Sequence, residues 1–424
     1  MPKSKLNSKV TKINKNKIIS NTLSVAIVHD FLFQYGGAEK VVEKWLEMYP
    51  NAIIFTSFAT PEKFVSSEVI TKAFEDKRIK ITWVQKIFEL KNQSGERRFA
   101  KFQKHLFWLY PILMRLVTIR DFDVVLISST DCAKQVRFKR CHQIIHYCHS
   151  PTRYLHGLTT EADHKSLSIV YQILIPFFKF FLRKLDLNAV SYLNRQKTQW
   201  IANSEFIQAV IWNVYRTRSE IIYPPIETEK FINNPRKINQ KESNTKDTFY
   251  LCHGRISFHK RLDLAILACL KLRKPLKIGG TAGFAKQMED LQKIVLDYEQ
   301  NHPEAVGLVE FLGRTTDKQY LELLSQCRGF LFPGKEDFGI APVEALAAGV
   351  PLIAFGAGGA LEYVKDGTNG ILFSDQTAEE MIEAINHFET ITAWNEQTIR
   401  STSLQFTSKN FETSIKKLVK DHFA

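Results

Sequence analysis

Two carboxylates eight positions apart, Glu336 and Glu344, stand in the stretch GFLFPGKEDFGIAPVEALAAGVPLIAFGAGGALEYVKDGTNGILF, Gly329–Phe373. An apolar run ending at Pro333 predicts a buried strand, and Gly334 to Gly339 form a loop. A helix follows with Pro342 in its first turn, where no N–H is needed, and Gly349 and Pro351 end it. A second strand, Pro351–Phe355, leads into a glycine turn at Gly356, Gly358 and Gly359. Such a unit aims free N–H groups and the positive end of a helix dipole at the space above the strand ends. Glu336 falls in the loop and Glu344 in the first helical turn. Carboxylates accept hydroxyls of a sugar or ribose, and backbone amides suit a diphosphate, so the unit fits a nucleotide-sugar. The same two residues also suit plainer roles: Glu344 complements the dipole, and Glu336 is a solvated loop acid.

Other residues carry weaker signals. Gly36-Gly37 ends the run Ser24–Asp30 and can be a plain tight turn. His149 and Arg153 follow the run Gln143–His149, at a strand end where a ligand sits in a parallel sheet. A single histidine there also serves structure alone. Asp121-Phe-Asp123 has a D-x-D form but precedes its strand, so it reads as a structural turn. Arg255 and Lys260 stand at a helix start, where the dipole disfavours cations. That misfit favours a ligand role over two solvated charges.

EDFGIAPVEALAAG resembles the E-x7-E signature of retaining GT-B glycosyltransferases of family 4, in the wording of the bacterial mannosyltransferases that build O-antigen and related surface polysaccharides. HisTyrCysHisSerProThrArgTyr, 146–154, is similar to that branch's cleft segment, and Gly254-Arg255 with Lys260-Arg261 resembles its G-R-x4-K-R segment. Gly279-Gly280 matches a family G-x-G only in part. The resemblance implies catalytic roles for Arg255, Lys260, Glu336 and His149. Arg255 and Lys260 grip the diphosphate, Glu336 the sugar hydroxyls, and His149 a sugar hydroxyl. Donor contacts fall to Gly36, Gly37, Gly254, Gly280, Arg314, Thr315, Asp337, Phe338, Gly339, Ile340, Ala341, Pro342 and Glu344, with Glu344 on the ribose. Arg153 meets phosphate. Glu362 matches a recurring family position and can equally cap its own helix. No metal and no cofactor is implied. Ser129-Thr130-Asp131 departs from the family by carrying an acid, which leaves the acceptor contacts open.

At 424 residues the chain is long enough for two domains. Runs at Ala52–Phe58, Ile81–Gln85, Val124–Thr130 and Gln199–Ser204 predict further strands of one parallel sheet. Phe249–His253, Leu276–Gly279, Val309–Leu312 and Asn369–Phe373 predict a second, with helices Arg261–Leu272, Gly283–Gln300, Asp317–Gln326 and Ala378–Phe388 between. The fold class is α/β: two Rossmann-like, doubly wound parallel-sheet domains facing across a cleft, the GT-B plan. The basic arm 1–22 reads as disordered, 23–223 as the acceptor-side domain, 224–407 as the nucleotide-sugar domain, and the tail from Ser408 as a helix packing back on the first. Tyr-Pro-Pro at 223–225 marks the boundary.

Six scattered cysteines show neither disulfide nor zinc spacing. The net charge of +14 lies wholly in the first half, which implies an anionic partner. Arg97 to Val117 mixes basic and aromatic residues, as an interfacial helix on an anionic bilayer does, and as a helix docked on a core also does. No apolar run reaches the roughly 18–20 residues of a span; Ile169–Phe178 is too short. Expected partners are a nucleotide-sugar, a glycolipid or oligosaccharide acceptor and an anionic membrane surface, without nucleic acid. The expected place is the cytoplasm, on the inner membrane face. Expected chemistry is hexosyl transfer with retention, mannose from GDP-mannose. A UDP-sugar donor, a phosphorylase or epimerase, and a non-catalytic membrane- or RNA-binding scaffold are the alternatives.

Overall fold

The computed structural model describes residues 23–82, 85, 109–158, 169–237, 248–283 and 285–423. The continuous apolar runs become parallel strands, because such strands lie buried on both faces. The first half holds β1 (Val25–His29), β2 (Ile53–Thr56), β3 (Ile79–Ile81), β4 (Thr118–Arg120), β5 (Val124–Ser129), β6 (Arg137–Lys139), β7 (Gln143–Cys148), β8 (Gln199–Ala202) and β9 (Glu220–Ile221). Seven form one sheet in the order β3-β2-β1-β5-β7-β8-β9, and β4 pairs with β6 apart from it. The second half holds β10 (Tyr250–His253), β11 (Leu276–Gly279), β12 (Val309–Gly313), β13 (Gly329–Phe332), β14 (Leu352–Phe355) and β15 (Gly370–Phe373). Their order is β12-β11-β10-β13-β14-β15, with every pairing parallel.

Side chains alternate across each sheet. Val25 and Ile27 join the core on one face of the first sheet, Ala26 and Val28 the core on the other. Strand order reverses between β1 and β5, and again between β10 and β13. Crevices for ligands open beyond the carboxyl ends at such reversals, so each sheet offers one.

The chain passes to the second domain near Ile222 and returns at Thr407. The two crossings lie side by side: Ile226 N donates to Phe406 O (3.2 Å), and Ser408 N to Ile226 O (2.9 Å). Helix Ser408–Phe423 then buries Phe411, Ile415 and Val419, one stripe at four-residue spacing, in the first domain's core. Burying such a side chain contributes about 1.5–3 kcal/mol.

Several expectations shift. The strand read at Ile81–Gln85 lies at Ile79–Ile81, paired to β2 from Ile54 to Thr56. Of the segment 97–117, residues 97–108 lie outside the described residues, as do 1–22; Tyr110–Met114 is helical and buries Tyr110, Pro111 and Met114. The run beginning at Ile169 opens a 27-residue helix, Ile169–Arg195. Among the described residues no helix is long and apolar enough to cross a membrane. Asp121 holds a positive φ of 63° and pairs with Arg140, while Asp123 accepts from Ser24 N and Oγ at 2.9 and 2.8 Å. That D-x-D is a fastened turn. All six cysteines are free thiols, five of them buried.

Candidate active site

The loops after β10, β11, β12, β13 and β14 meet on one rim. Gly254 and Gly280 cross there so closely that a Cβ on Gly280 would lie 1.9 Å from Gly254 O, at a φ of +133°. Only glycine fits. Gly280 N donates to Gly313 O (2.7 Å), which draws Arg314 and Thr315 to the same rim. Thr315 Oγ1 is 2.8 Å from His253 Nε2, and His253 stacks on Tyr320 with centroids 3.7 Å apart. Arg314 is exposed.

A short turn, Phe258–Lys260, closes with Arg261 in a left-handed conformation and folds Lys260 back over this crossing. Its ammonium stands 2.5 Å from Glu336 Oε1. Burial opposes the charge on Glu336, but Lys260, His259 and Arg153 outweigh it and hold the carboxyl below its usual range. Glu336 is thus no solvated acid. Arg255 is exposed and reaches the first domain, donating through Nη1 to Gln34 Oε1 at 3.1 Å.

Helix Ile340–Ala347 starts after Gly339, whose φ is +90°. Glu344 therefore lies in the second turn, not the first. It is buried, and Lys40 of the first domain pairs with its Oε1 at 2.8 Å. Burial works against the Lys40 charge, yet Glu344 raises its pKa. Dipole complementation is not its main contact. Because Pro342 has no N–H, the amides of Ile340, Ala341 and Val343 remain at this end.

The first domain faces that helix with its own. Gly36 caps helix Gly37–Met48, and a Cβ on Gly37 would stand 3.0 Å from Ile340 Cδ1. Arg153 pairs with Asp337, and Ser204 Oγ donates to Asp337 O (2.6 Å) while capping its own helix through Ile207 N. Burial raises the Asp337 carboxyl although Arg153 opposes it. Phe338 is buried, and its carbonyl accepts from Tyr363 OH (2.9 Å). Glu362 accepts from Phe206 N (3.2 Å) and Tyr223 OH (3.0 Å), so it clasps the domains and does not cap its helix.

Thr152, the residue before Arg153, is held from behind. Lys134, 1% exposed, pairs with Asp186 at 3.0 Å and donates to Thr152 Oγ1 at 2.6 Å. Asp186 also accepts from Tyr215 OH (2.8 Å) and contacts His156 Nε2 at the same distance. His149 is buried at the end of β7, its Nε2 2.8 Å from Ser128 Oγ. Burial lowers its pKa to about 3, so the ring is neutral. Asp131 contacts Tyr154 OH (3.1 Å); burial and Asp30 push its carboxyl up to about 7.

The predicted site residues accordingly gather in one gap. Gly254, Gly280, Lys260, Glu336, Asp337, Gly339, Ile340, Ala341 and Glu344 line one wall, with Phe338 and Pro342 buried behind it; Gly36, Gly37 and Arg153 touch it from the other. Thr315 joins through His253, Arg255 and Arg314 stand exposed at the rim, and His149 is buried beneath the first domain's wall. Sequence reading missed Lys40, Gln34 and Ser204. A lysine one turn after a glycine pair was the available signal for the first. Among the described residues no cluster of metal-ligating side chains occurs.

Two doubly wound domains with facing strand-end loops define the GT-B class. Residues 233–402, within the second domain, match the family described as glycosyl transferases group 1, and the fold of the whole chain is that of GT-B glycosyltransferases. The human alpha-1,3/1,6-mannosyltransferase ALG2 is 26% identical over 276 residues, covering 59% of this chain and 61% of ALG2, so the match spans less than two thirds of that relative. The O-antigen chain mannosyltransferase C of Escherichia coli is 22% identical over 372 residues, covering 86% of each. The Anabaena HepE structure in complex with UDP superposes with a TM-score of 0.62 at 16% identity, over 94% of this chain and all of that one. That likeness concerns the fold.

Proposed function

We propose that this protein transfers a mannosyl group from GDP-mannose, with retained anomeric configuration, to a lipid-linked or polysaccharide acceptor. The observation that carries it is the convergence of Lys260, Glu336, Glu344 and the Ile340 helix start on one gap, faced by Gly37 and Arg153. A departing diphosphate needs two negative charges stabilised. Lys260, Arg255 and the amides of Ile340, Ala341 and Val343 supply that without a metal, through dipoles and charges already oriented. The contact with Glu336 holds the Lys260 ammonium in position before the donor arrives. Glu336 takes the sugar hydroxyls, and Glu344 the ribose, exchanging its contact with Lys40. No side chain is a dedicated nucleophile. The acceptor hydroxyl attacks from the leaving-group face, and the departing phosphate takes its proton.

The names of the human and E. coli relatives speak for mannose. A membrane-bound acceptor is supported by Phe180 and Phe181, exposed on helix Ile169–Arg195 beside Lys179, Arg183 and Lys184. The test is hydrolysis of GDP-mannose, UDP-glucose and UDP-N-acetylglucosamine without magnesium. The mannose donor alone is turned over, and Lys260→Ala reduces turnover at least ~100-fold, the loss expected when one preorganised charge is removed. Turnover of a uridine donor alone overturns the donor assignment.

A further inference from the structure

His149 does not end the chain of contacts behind the site. It heads a buried line of polar groups across the strand-order reversal of the first sheet. His149 Nε2 is 2.8 Å from Ser128 Oγ, and Ser128 Oγ is 3.0 Å from His29 Nδ1. His29 Nδ1 also lies 3.2 Å from Ser128 O, and His29 Nε2 lies 3.6 Å from Glu39 Oε1. The other oxygen of Glu39 accepts from Gly36 N at 2.9 Å. Register accounts for the alignment: His29 of β1 stands opposite Ser128 of β5. His29, Ser128 and Glu39 are 3%, 0% and 5% exposed, so water does not compete for these contacts.

The hydrogens follow from what each atom can do. A carbonyl and a carboxylate only accept. His29 Nδ1 faces the Ser128 carbonyl and Nε2 faces Glu39, so the form that satisfies both is the doubly protonated ring. Ser128 Oγ then accepts from His29 and has one hydrogen left, which points to His149 Nε2. An imidazole that accepts at Nε2 carries its own hydrogen on Nδ1. His149 Nδ1 has no partner among the described residues.

We propose that His29, Ser128 and Glu39 are positioning residues that fix His149 as an Nδ1–H donor toward the donor sugar, and that loss of one proton reverses the whole line. The proton balance is simple. The His29 Nδ1 hydrogen passes to Ser128 Oγ, the Ser128 hydrogen passes to His149 Nε2, and the His149 Nδ1 hydrogen leaves to solvent. His149 then presents a bare nitrogen that can only accept. The charged and titratable groups facing His29 are Glu39 from the following helix, Asp30 from its own strand end and His149 across the sheet. Burial alone would lower the His29 pKa, but Glu39 and Asp30 raise it above 6.5. Glu39 also holds Gly36, so one carboxylate ties this charge to the glycine turn that faces Ile340.

The proposal rests on the functional reading above only in naming the sugar as what His149 meets. The test therefore begins on the free protein. In the full chain labelled with nitrogen-15 at histidine, with His29→Gln and His149→Gln giving the assignments, His29 is doubly protonated at pH 7 and His149 is the Nδ1–H tautomer. Glu39→Gln turns His29 neutral at that pH and His149 into the Nε2–H tautomer. Ser128→Ala uncouples the two, so that adding Glu39→Gln no longer moves the His149 signals. With donor, the alkaline fall of kcat moves down by about one pH unit or more in Glu39→Gln, since an opposite charge at this range shifts a pKa by that much, and Glu39→Asp restores part of it. An Nε2–H tautomer of His149 in the natural chain at pH 7, or His149 signals unmoved by Glu39→Gln, overturns the proposal. Absence of turnover with the stated tautomers intact sinks the glycosyl-transfer reading instead.

Discussion

The two walls of the gap are made differently. The second domain's wall is backbone: Gly254 against Gly280, Gly334 against Lys260, Gly358 and Gly359 against the 336–338 loop, each close enough that a Cβ would collide. The first domain's wall is side chains, buried and wired to one another: Lys134 with Asp186, Thr152, Tyr215 and His156 around it, and His29 through Ser128 to His149. Backbone amides and fixed cations suit a diphosphate, a part that every nucleotide donor shares. Side-chain networks can be rebuilt residue by residue, without moving the backbone that carries them.

The largest break in this contrast comes from the wired wall. Lys134→Met leaves Asp186 buried without its cation, and such a loss costs about 3–5 kcal/mol; urea unfolding of the two chains measures it. Replacing Asp186 by Leu in the same chain recovers part of that loss, because an apolar pair needs no compensation. If Lys134→Met unfolds at the same urea concentration as the parent, the network is ornamental. On the backbone wall, Gly280→Ala strains a conformation that costs roughly 1–3 kcal/mol and pushes Gly254 out of place. Nucleotide affinity by calorimetry then falls at least ~10-fold, about 1.4 kcal/mol, whereas a Ser128→Ala chain, altered on the other wall, keeps its nucleotide affinity.

A further effect is a pH dependence spread over both walls. Burial lowers His149 to about 3, His253 and His259 to about 4, and His146 well below 6.5. Their stabilising effect is complete above the unfolded value near 6.5 and is lost as pH falls toward 4 and then 3, because the unfolded chain takes protons that the folded one refuses. His29, shifted upward, acts in the opposite sense and loses its contribution as pH rises through its folded value. Urea midpoints at pH 7, 5 and 4 should decline in that order; a midpoint that rises on acidification contradicts the sign.

The same contrast governs what could be read in advance. Leu276–Gly279 and Asp317–Gln326 lie where their residues predict, because apolar runs and caps are local. Thr316 and Gln319 make a capping box, and Ser204 accepts from Ile207 N. The backbone wall was legible too, since Glu336 to Glu344 is one contiguous word. The wired wall was not. Lys40 and Glu344 are 304 positions apart, Arg153 and Asp337 184, and no local pattern pairs residues at such separations. Lys134, fully buried, carries no mark in the sequence that separates it from a surface lysine. Glu344 lies a turn later than its residues predict, because Gly339, at its positive φ, delays the helix start.

The paired crossings at Ile226 and Thr407 impose a mechanical condition on everything between the walls. Two lengths of covalent chain, laced together by backbone hydrogen bonds, join the halves along a single edge. A chain cut before Ser408 would lose one of the two lacings and bare the apolar surface that Phe411, Ile415 and Val419 cover.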